Sequence, residues 1–312
     1  MKILEKYVHS FTHLHTAKIG MVNAPHKPVL LLAILAEIEA GRIKINRIYI
    51  TPDLVATFKN YWHKLVRTSQ FTDNFALPFF HLRSEGYWQL HTAPGKEILL
   101  TSSKSIRSFG QLRDAVDFAS LDQDLFELLC SRKSRDILKL SLIRRYFPNA
   151  PKSLVTDELV QSIINQMLFE PPNVYKRRAA SFSEEELFVR GALFKREIPK
   201  IYNYSCCVSG MRIVVDQSVQ MVDACHIIPF SESGDDTITN GISLCPNLHR
   251  AFDRGLISIN DDYTVAVKKM HEETSIYSIK QFENKPILLP QRQQFYPSLE
   301  NLRLHRHRFG FN

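Results

Sequence analysis

The strongest structural pattern in this 312-residue chain is residues 221–259, MVDACHIIPFSESGDDTITNGISLCPNLHRAFDRGLISI. His226 ends a run of β-type residues, and Asn240 lies in a loop rich in Gly and Asp. Pro246 and Gly255 bracket a short helix, because Pro is favoured at the first helical position and Gly just past the last. We therefore expect a strand, a loop and a helix in this order.

Two polar residues of the expected helix, His249 and Asp253, are four positions apart. Residues at this spacing project from one face of an α-helix and can bind the same cation. His226 on the preceding strand adds a second imidazole. A carboxylate and two imidazoles in this arrangement predict a site for one divalent metal and one general base.

The order of these residues resembles the HNH endonuclease domain, whose core is a ββα-metal fold. The resemblance extends over about residues 183–265 and implies metal-dependent hydrolysis of the DNA backbone. The matching segments are Cys206-Cys207-Val208-Ser209-Gly210, Asp223-Ala224-Cys225-His226-Ile227-Ile228-Pro229, Asn240-Gly241 and Leu244-Cys245-Pro246-Asn247-Leu248-His249-Arg250-Ala251-Phe252-Asp253.

The resemblance implies a role for each matched side chain. His226 is expected to be the general base that activates water, and Asn240 to hold the loop and help orient that base. His249 and Asp253 are expected to bind one Mg²⁺ or Mn²⁺ ion. The chemistry agrees, since hydrolysis of an anionic diester needs a cation at the phosphate and a base for the water proton.

Many HNH domains also bind a structural zinc through two CxxC pairs, a spacing that strongly indicates a zinc site. In this chain the position three residues after Cys206 is Ser209, and the position three residues after Cys245 is Leu248. Each CxxC pair therefore lacks its second thiol. We therefore predict no structural zinc. The two remaining thiols are expected to pack as small buried hydrophobic groups.

The sequence leaves the third metal ligand open. Some relatives place Asp or His directly before the base, where this chain has Cys225, a poor ligand for magnesium. Asp223 lies on the same face of the strand and is a candidate third ligand. A solvated Asp223 that points away from the metal fits the sequence equally well.

The positive charge of the chain is concentrated in its first half. The whole chain has 40 Lys+Arg and 32 Asp+Glu, a net charge of +8. Residues 1–150 contain 21 basic and 13 acidic residues, and residues 151–312 contain 19 of each, so the excess lies entirely in the first half. Clustered Lys and Arg bind nucleic acid by releasing counterions, so the charge predicts a polyanionic partner for the first half, and the HNH resemblance implies that this partner is double-stranded DNA. A basic surface with no partner is the alternative.

Hydrophobic periodicity predicts an α+β domain, of winged-helix type, over residues 1–150. The expected elements are a buried helix between Pro28 and Gly41, a β-rich piece at 47–50, an amphipathic helix at 52–66, a β-hairpin that pairs 77–82 with 87–90 through a turn at Gly86, and helices at 108–117 and 122–145.

A linker with one short helix is expected at residues 151–182, where Pro and basic residues cluster. The second domain, residues 183–312, opens with Ser183 followed three positions later by Glu186. This spacing is a capping box and predicts the start of a helix.

The first domain also resembles a known family, the sulfur-binding domain of modification-dependent restriction enzymes, over about residues 10–150. That family recognises phosphorothioate DNA and often carries an HNH domain at its C-terminus, so the resemblance implies a role in restriction and defence. The matching segments are His26-Lys27-Pro28-Val29-Leu30-Leu31-Leu32, Leu77-Pro78-Phe79-Phe80-His81-Leu82, Gly86-Tyr87-Trp88-Gln89-Leu90 and Arg145-Tyr146-Phe147-Pro148.

The resemblance implies a pocket in which His26 and Lys27 contact the phosphate. Leu77 and Pro78 are expected to contact the sulfur, and Phe80, from the same motif, is also expected to belong to the pocket. Sulfur is larger and more weakly hydrated than oxygen, so it can enter a partly apolar pocket. Relatives often have Tyr before the Pro and Arg near the His, and this chain departs from both. In the alternative interpretation, Pro78 and Phe80 are hairpin core and His26 caps a helix.

Two other functions fit the sequence. The first domain can instead read a modified base, flipped into an aromatic pocket that includes Tyr87 and Trp88. The chain can also be a DNA-binding regulator with an inactive HNH fold, although the intact pattern of His226, Asn240 and His249 argues against this.

No membrane partner is expected, because the longest apolar run, residues 28–38, is far shorter than the roughly 20 residues of a membrane span. The N-terminus lacks the apolar core of a signal peptide. Five cysteines do not form an even disulfide framework and favour a reducing cytoplasm. The resemblance to restriction enzymes implies that this is the cytoplasm of a bacterium or archaeon. A homodimer is expected because two nicks on opposite strands require two active sites.

Overall fold

The chain folds into two compact units. One contains Met1–Gln161 and Ser183–Val189, and the other contains Ser162–Phe182 and Arg190–Asn312. Both combine helices with short antiparallel strands, which confirms the predicted α+β class. The computed structural model describes residues 2–20, 22–92, 95–96, 106, 108–150, 158–179, 181–215, 219–269, 272–274 and 277–311.

The first unit consists of helices packed around a three-stranded antiparallel sheet with the strand order β3-β5-β4. Up to residue 150 its elements are α1 (Lys2–Thr12), β1 (Lys18–Ile19), β2 (Val22–Asn23), α2 (His26–Glu39), β3 (Ile48–Tyr49), α3 (Pro52–Leu65), α4 (Ala76–His81), β4 (Trp88–Thr92), α5 (Phe109–Ala115), β5 (Val116–Leu121), α6 (Gln123–Cys130) and α7 (Arg132–Tyr146).

Helix α2 is the buried helix that the sequence predicts. Every residue from His26 to Ile38 is buried, because α3, α4, α6 and α7 all contact this helix. Pro28 lies in the first turn, and Gly41 has a φ of +70°, a left-handed conformation that ends the helix. The helix therefore has no solvent-facing side, in agreement with its nearly continuous run of apolar residues.

The predicted β-hairpin is wrong. Its first arm is helix α4, followed by a 3₁₀ turn at Leu82–Glu85, and its second arm is strand β4, which pairs with β5 instead. The Oδ1 of Asn74 accepts a hydrogen bond from the backbone N–H of Leu77 (3.1 Å), as a helix-capping side chain does. The apolar residues here also fit a helix, since Phe75 and Phe79, and likewise Ala76 and Phe80, are buried pairs four positions apart, with Pro78 buried as well.

The helices predicted at 108–117 and 122–145 are also corrected. The first ends at Ala115, where the chain turns into β5, the central strand of the sheet. Asn46 holds the end of β5, because its side chain accepts a hydrogen bond from the N–H of Leu121 (2.9 Å) and donates one to the carbonyl of Leu121 (2.8 Å). The second prediction corresponds to two helices, α6 and α7, which are separated at Ser131.

The second unit contains a two-stranded sheet followed by a helix, as the ββα prediction requires. Further along the chain lie a second small sheet and a C-terminal helix. From residue 158 the elements are α8 (Glu158–Phe169), α9 (Pro172–Ala179), α10 (Glu184–Ile201), β6 (Asp223–His226), α11 (Phe230–Ser233), β7 (Gly241–Leu244), α12 (Pro246–Asp253), β8 (Ile257–Ile259), β9 (Val265–Val267) and α13 (Leu299–Phe309).

Close packing explains why glycine is required at one position of the ββα element. Strands β6 and β7 are antiparallel, with His226 opposite Gly241. A Cβ atom on Gly241 would lie 2.3 Å from the Cδ1 of Ile198 and 2.8 Å from the Cζ of Phe194. The absence of a side chain on Gly241 therefore lets helix α10 pack directly against the strand that faces His226.

The capping box that the sequence predicts is present. The Oγ of Ser183 accepts a hydrogen bond from the N–H of Glu186 (3.2 Å), and the Glu186 carboxylate accepts one from the N–H of Ser183 (3.0 Å).

The division into units differs from the predicted limits of 1–150, 151–182 and 183–312, because the first turns of α10 belong to the first unit. In addition, the described part of the predicted linker forms two helices, α8 and α9, where the sequence suggested one.

Among the residues that the structure describes, no helix is both long enough and apolar enough to span a membrane.

Candidate functional site

A cavity of about 370 Å³ in the second unit brings together three predicted site residues, His226, His249 and Asp253. Strand β6 ends at His226, and helix α12 presents His249 and Asp253 one turn apart. Two cationic residues, Lys195 from α10 and Arg308 from α13, also line the cavity. The cavity therefore combines two imidazoles, a carboxylate and two cationic side chains, of which Arg308 is paired with Glu232 (2.8 Å).

His226 is held in a fixed orientation. Its Nε2 lies 2.9 Å from the Oδ1 of Asp236, a carboxylate that is only 2% exposed. Its ring stacks on Phe194 with 3.8 Å between centroids and 3° between planes. Because a carboxylate only accepts hydrogen bonds, Nε2 carries the proton, which leaves the lone pair of Nδ1 to take a proton from water.

Asp236 is a functional candidate that the sequence analysis missed. It belongs to the Asp-Asp-Thr segment of the loop before Asn240, which the sequence analysis treated only as a polar loop. Nothing in the local pattern distinguishes Asp236 from Asp235, and the contact with His226 spans ten residues. Only the folded loop shows which of the two carboxylates faces the imidazole.

Asn240 is fully buried and holds the loop that follows His226. Its Oδ1 accepts hydrogen bonds from the N–H of Ile228 (3.0 Å) and from the side chain of Asn301 (2.9 Å). Its Nδ2 donates to the carbonyls of Ile228 (2.9 Å) and Asp235 (2.9 Å). Asn240 therefore stabilises the segment between the base and its carboxylate partner.

His249 lies between two carboxylates that contact opposite ring nitrogens. Its Nδ1 is 3.5 Å from the Oδ2 of Asp223, and its Nε2 is 3.5 Å from the Oδ2 of Asp253. The other oxygen of Asp253, Oδ1, is 3.7 Å from the Sγ of Cys225. Cys225, His249 and Asp253 each offer a ligand atom, and these atoms lie within 4.8 Å of one another, so the three residues fit a single cation.

Cys225 is the buried member of this group. Burial, and after it the neighbouring carboxylate of Asp253, raises the pKa of the Cys225 thiol well above its usual value. Without a cation the thiol is therefore neutral and donates to Asp253.

The two cysteines that remain from the zinc-type pairs are buried, as predicted. Cys206 is 0% and Cys245 is 8% exposed. A hydrogen bond between the two thiols lowers the pKa of Cys206 and raises that of Cys245. The backbone N–H of Ser209 also donates to the Sγ of Cys206 (3.4 Å). The absence of a structural zinc stays a prediction.

A second cavity, of about 390 Å³, lies in the first unit and brings together four of the five residues predicted to bind sulfur. Phe80 does not line it, because its side chain is fully buried. Most of the remaining wall is apolar. The cavity is lined by His15, Thr16, Ala17, Ala24, His26, Lys27, Phe71, Leu77, Pro78, His81 and Ser84.

Lys27 is not free to bind phosphate in this arrangement. Its Nζ donates to the carbonyl of His15 (2.6 Å), to the Oγ of Ser84 (2.8 Å) and to the Oε1 of Glu85 (2.5 Å). A lysine ammonium has three N–H donors, and all three are used here. Its charge is compensated by Glu85.

His26 contributes an imidazole face rather than a charge. Its Nε2–H donates to the carbonyl of Thr72 (2.8 Å), and its ring packs against Trp62 with 4.6 Å between centroids. Burial lowers the pKa of His26, so the ring is neutral at pH 7. This side chain does not cap helix α2, which excludes the alternative role considered for it.

His81 is a cavity residue that the sequence analysis quoted but did not single out. Burial, and after it the charge of Lys27, lowers the pKa of His81. His81 lies three and four positions after Pro78 and Leu77, so a helix places all three on one face. The incorrect hairpin prediction hid this relation.

Tyr87 and Trp88, which the sequence analysis considered as a pocket for a flipped base, belong to the core. They are 3% and 2% exposed, and the Nε1–H of Trp88 donates to the carbonyl of Phe79 (2.9 Å). Neither lines the cavity of the first unit.

Comparison with known proteins identifies both units. Residues 206–260 match the HNH endonuclease family and so form an HNH nuclease domain, as predicted. Residues 4–159, half of the chain, match the ScoMcrA-like DNA sulfur-binding domain. No curated protein matches this chain.

Three solved structures are similar to parts of this chain, with TM-scores between 0.29 and 0.40. The modification-dependent TagI restriction endonuclease is 27% identical, with 38% of each chain covered and a TM-score of 0.29, so this chain spans little more than a third of that protein. The sulfur-binding domain of ScoMcrA complexed with phosphorothioated DNA is 22% identical, with 50% of this chain and 96% of that chain covered and a TM-score of 0.40. The structure of the sulfur-binding and SRA domains of ScoMcrA, also complexed with phosphorothioated DNA, is 22% identical. The match covers 49% of this chain and 47% of that chain, with a TM-score of 0.39.

Proposed function

This chain belongs to the family of the ScoMcrA-like DNA sulfur-binding domain, and we propose that it is a modification-dependent DNA endonuclease. In this proposal the first unit recognises phosphorothioate-modified DNA and the HNH domain hydrolyses the backbone, as part of restriction and defence. The main support is the presence in one chain of a sulfur-binding domain with an apolar cavity and an HNH domain with an ordered base.

The first cavity suits a phosphorothioate for a physical reason. A phosphate oxygen that enters an apolar pocket loses its hydrogen bonds to water, whereas sulfur is weakly hydrated and loses less. We assign the sulfur contact to Leu77 and Pro78, which supply apolar surface. Because the donors of Lys27 are used within the protein, and Nδ1 of His15 faces Glu85 (3.1 Å), we assign the phosphate oxygens to His81 and to Nε2 of His15. Lys27 then stabilises the pocket wall through its contacts with Glu85 and Ser84.

In the second cavity, the arrangement of His226 supports its assignment as general base. Nδ1 accepts the proton of the attacking water, while the buried Asp236 stabilises the imidazolium that forms. The stack on Phe194 keeps the ring in line with the cavity. Lys195, which lines the cavity, is positioned to bind the diester anion, whereas Arg308 is paired with Glu232.

The HNH family uses a divalent cation, and the donor set of this chain fits one. Cys225, His249 and Asp253 would hold the ion, which would supply positive charge to the phosphate and the leaving oxygen. Mg²⁺ or Mn²⁺ is the choice that the sequence favours.

The test measures how fast the full chain cleaves three matched DNA duplexes. The duplexes differ only in carrying one phosphorothioate, one methylcytosine or neither, and each is tested with Mg²⁺, Mn²⁺, Zn²⁺ or Co²⁺. We expect cutting of the phosphorothioate duplex only. Equal cutting of all three would refute recognition of a modification, and selective cutting of the methylcytosine duplex would establish a base reader instead. Selective binding without cutting under any metal would identify a regulator with an inactive HNH fold.

We further propose that the enzyme works in the cytoplasm of a bacterium or archaeon and that two copies act together. The five cysteines, all free, support a reducing compartment. Cutting both strands needs two active sites, so sedimentation of the DNA complex should show two chains per duplex.

A further inference from the structure

The two ring nitrogens of His249 face different carboxylates. This difference distinguishes the carboxylate that can bind the metal from the carboxylate that can orient the histidine. Nδ1 faces Asp223 and Nε2 faces Asp253, each at 3.5 Å. One nitrogen binds the ion, and the other donates its proton to a carboxylate, the arrangement common to metal-binding histidines. Asp253 lies on the side where Cys225 also converges, whereas Asp223 lies on the opposite side of the ring and is absent from the three-residue group.

The donor atoms of the three residues are close enough to share one ion, because they all lie within 4.8 Å of one another. Asp253 faces its two neighbours with different oxygens: Oδ1 is 3.7 Å from the Sγ of Cys225, and Oδ2 is 3.5 Å from the Nε2 of His249. A thiolate, an imidazole and a carboxylate are the ligand types that Zn²⁺ takes in proteins.

On this basis, and resting on the proposed nuclease function, we propose that Cys225 is a metal ligand and that the site selects a borderline transition-metal ion, Zn²⁺ or Co²⁺, over Mg²⁺. Thiolate favours such ions and is a poor ligand for Mg²⁺. Asp223 is a positioning residue that orients His249. Three protein ligands leave one coordination position for water or the phosphate, as in catalytic zinc sites.

The burial of Cys225 supports this assignment. Its side chain is fully buried on the central part of β6, opposite Ile242, and its sulfur lies against Asp253 rather than solvent. An Asp or His at this position would make the site resemble those of the relatives with harder ligands. The single substitution to Cys is therefore expected to change the metal preference and leave the position of the site unchanged.

The experiment is a Co²⁺ titration of the chelator-treated full chain, followed by its absorption spectrum. We expect one bound ion with a thiolate-to-cobalt charge-transfer band and the intense visible bands of tetrahedral Co²⁺, neither displaced by millimolar Mg²⁺. Cys225→Ser should lose the charge-transfer band and bind Co²⁺ about 10- to 100-fold more weakly. Asp223→Asn should keep the band and lose about 10-fold in affinity, because it weakens the group that orients the histidine ligand.

Two matched variants make the result specific. Cys130→Ser, at an exposed position, and Cys206→Ser, in the buried thiol pair, should both keep the band. A band that disappears with Cys206→Ser but not with Cys225→Ser would overturn the assignment, as would the absence of any thiolate band in the parent chain. Loss of the band with Asp223→Asn would overturn its positioning role.

The Cys225→Asp variant is a second test whose expected result is a gain of binding, which a protein that fails to fold cannot show. It supplies a hard ligand, so we expect it to bind Mn²⁺ at least about 10-fold more tightly than the parent chain does, without the thiolate band. Unchanged Mn²⁺ affinity in a folded Cys225→Asp protein would count against the proposal. If the cobalt signature appears but no duplex is cut, the nuclease function fails and the site assignment stands. Cleavage with Mg²⁺ and no thiolate band would support the nuclease function and overturn the site assignment.

Discussion

The cavities of the two units have similar volumes, about 390 and 370 Å³, but their charged groups are arranged differently. In the first, Lys27 is compensated by Glu85 and His26 is neutral, so the remaining surface is largely apolar. In the second, His226 and His249 both face carboxylates. The two cavities therefore differ in charge: the pocket proposed for recognition has its charge compensated, whereas the site proposed for chemistry concentrates charged and titratable groups.

The largest expected effect tests the catalytic side of this comparison. His226→Ala should lower the cleavage rate by about 10²- to 10⁴-fold, because it removes the general base, and leave DNA affinity unchanged. The measurement is single-turnover cleavage together with binding of the same duplex. His307→Ala, at an exposed position of α13, is the control and should cleave normally. Loss of DNA binding with His226→Ala would show that this residue is a contact or a fold determinant instead.

Lys27→Met tests whether the buried ammonium of the first cavity is structural. Removing the buried ammonium takes away the lysine partner of Glu85 and leaves this buried carboxylate only its contacts with His15 and Ser84, so the free energy of unfolding should fall by about 3–5 kcal/mol. The measurement is urea unfolding, with Lys133→Met, at an exposed position, as the control.

The same variant distinguishes a structural lysine from a phosphate contact. Where the protein stays folded, the salt dependence of DNA binding should match that of the parent chain. A decrease of about 1 in the logarithmic salt slope would mean that Lys27 contacts a phosphate after all.

His305, which lines the second cavity, should make the second unit sensitive to acid. Burial lowers the pKa of His305 to about 4, from a usual value of 6.5, and its ring nitrogens are engaged within the protein, with Nδ1 2.8 Å from the Oγ of Ser258 and Nε2 3.1 Å from the carbonyl of Phe252. Since the folded pKa is the lower one, the stabilisation is complete above pH 6.5 and is lost as the pH falls towards 4.

Between pH 7 and pH 5 this loss amounts to about 2 kcal/mol in the free energy of unfolding. Urea unfolding at the two pH values measures it, and His305→Gln should show a correspondingly smaller difference. An equal loss in His305→Gln would assign the acid sensitivity to other groups.

Asp236→Asn tests how the base is oriented. An amide can present either a donor or an acceptor to the imidazole, so the proton of His226 is no longer held on Nε2. We expect kcat to fall by about 10- to 100-fold with KM and DNA affinity unchanged, an effect of the size seen for groups that orient active-site histidines. Glu300→Gln, at an exposed position, is the control. A change confined to KM would argue that Asp236 acts on substrate binding.

The smallest effect concerns selectivity in the first cavity. Leu77→Asn places a hydrated amide where the sulfur is expected, so affinity for the phosphorothioate duplex should fall by about 10-fold, while affinity for the unmodified duplex is unchanged. Leu140→Asn, at a leucine that is 49% exposed, controls for the substitution itself. Equal losses on both duplexes would place the sulfur elsewhere.

The sequence predicted features that depend on neighbouring residues. The order of His226, Asn240 and His249 with their flanking Pro and Gly residues was enough to predict a strand, a loop and a helix, because each part is set by local backbone preferences. The ββα-metal fold itself was implied by the resemblance to the HNH domain. Helix α2 and the capping box at Ser183 were predictable for the same reason. By contrast, residues 77–82 satisfied both the strand and the helix patterns, and Asn74, the capping residue that distinguishes them, was overlooked.

Tertiary structure decided which polar groups are paired. Lys27 meets Glu85, 58 residues away, so its charge is compensated within the protein. Asp223 and Asp253 both suit a metal from sequence, and only the orientation of the His249 ring separates ligand from support. Residue order and spacing reveal which chemical groups are available, because they determine the local backbone. Hydrogen-bond partners far apart in sequence depend on the packing of whole elements, so they emerge only once the chain has folded.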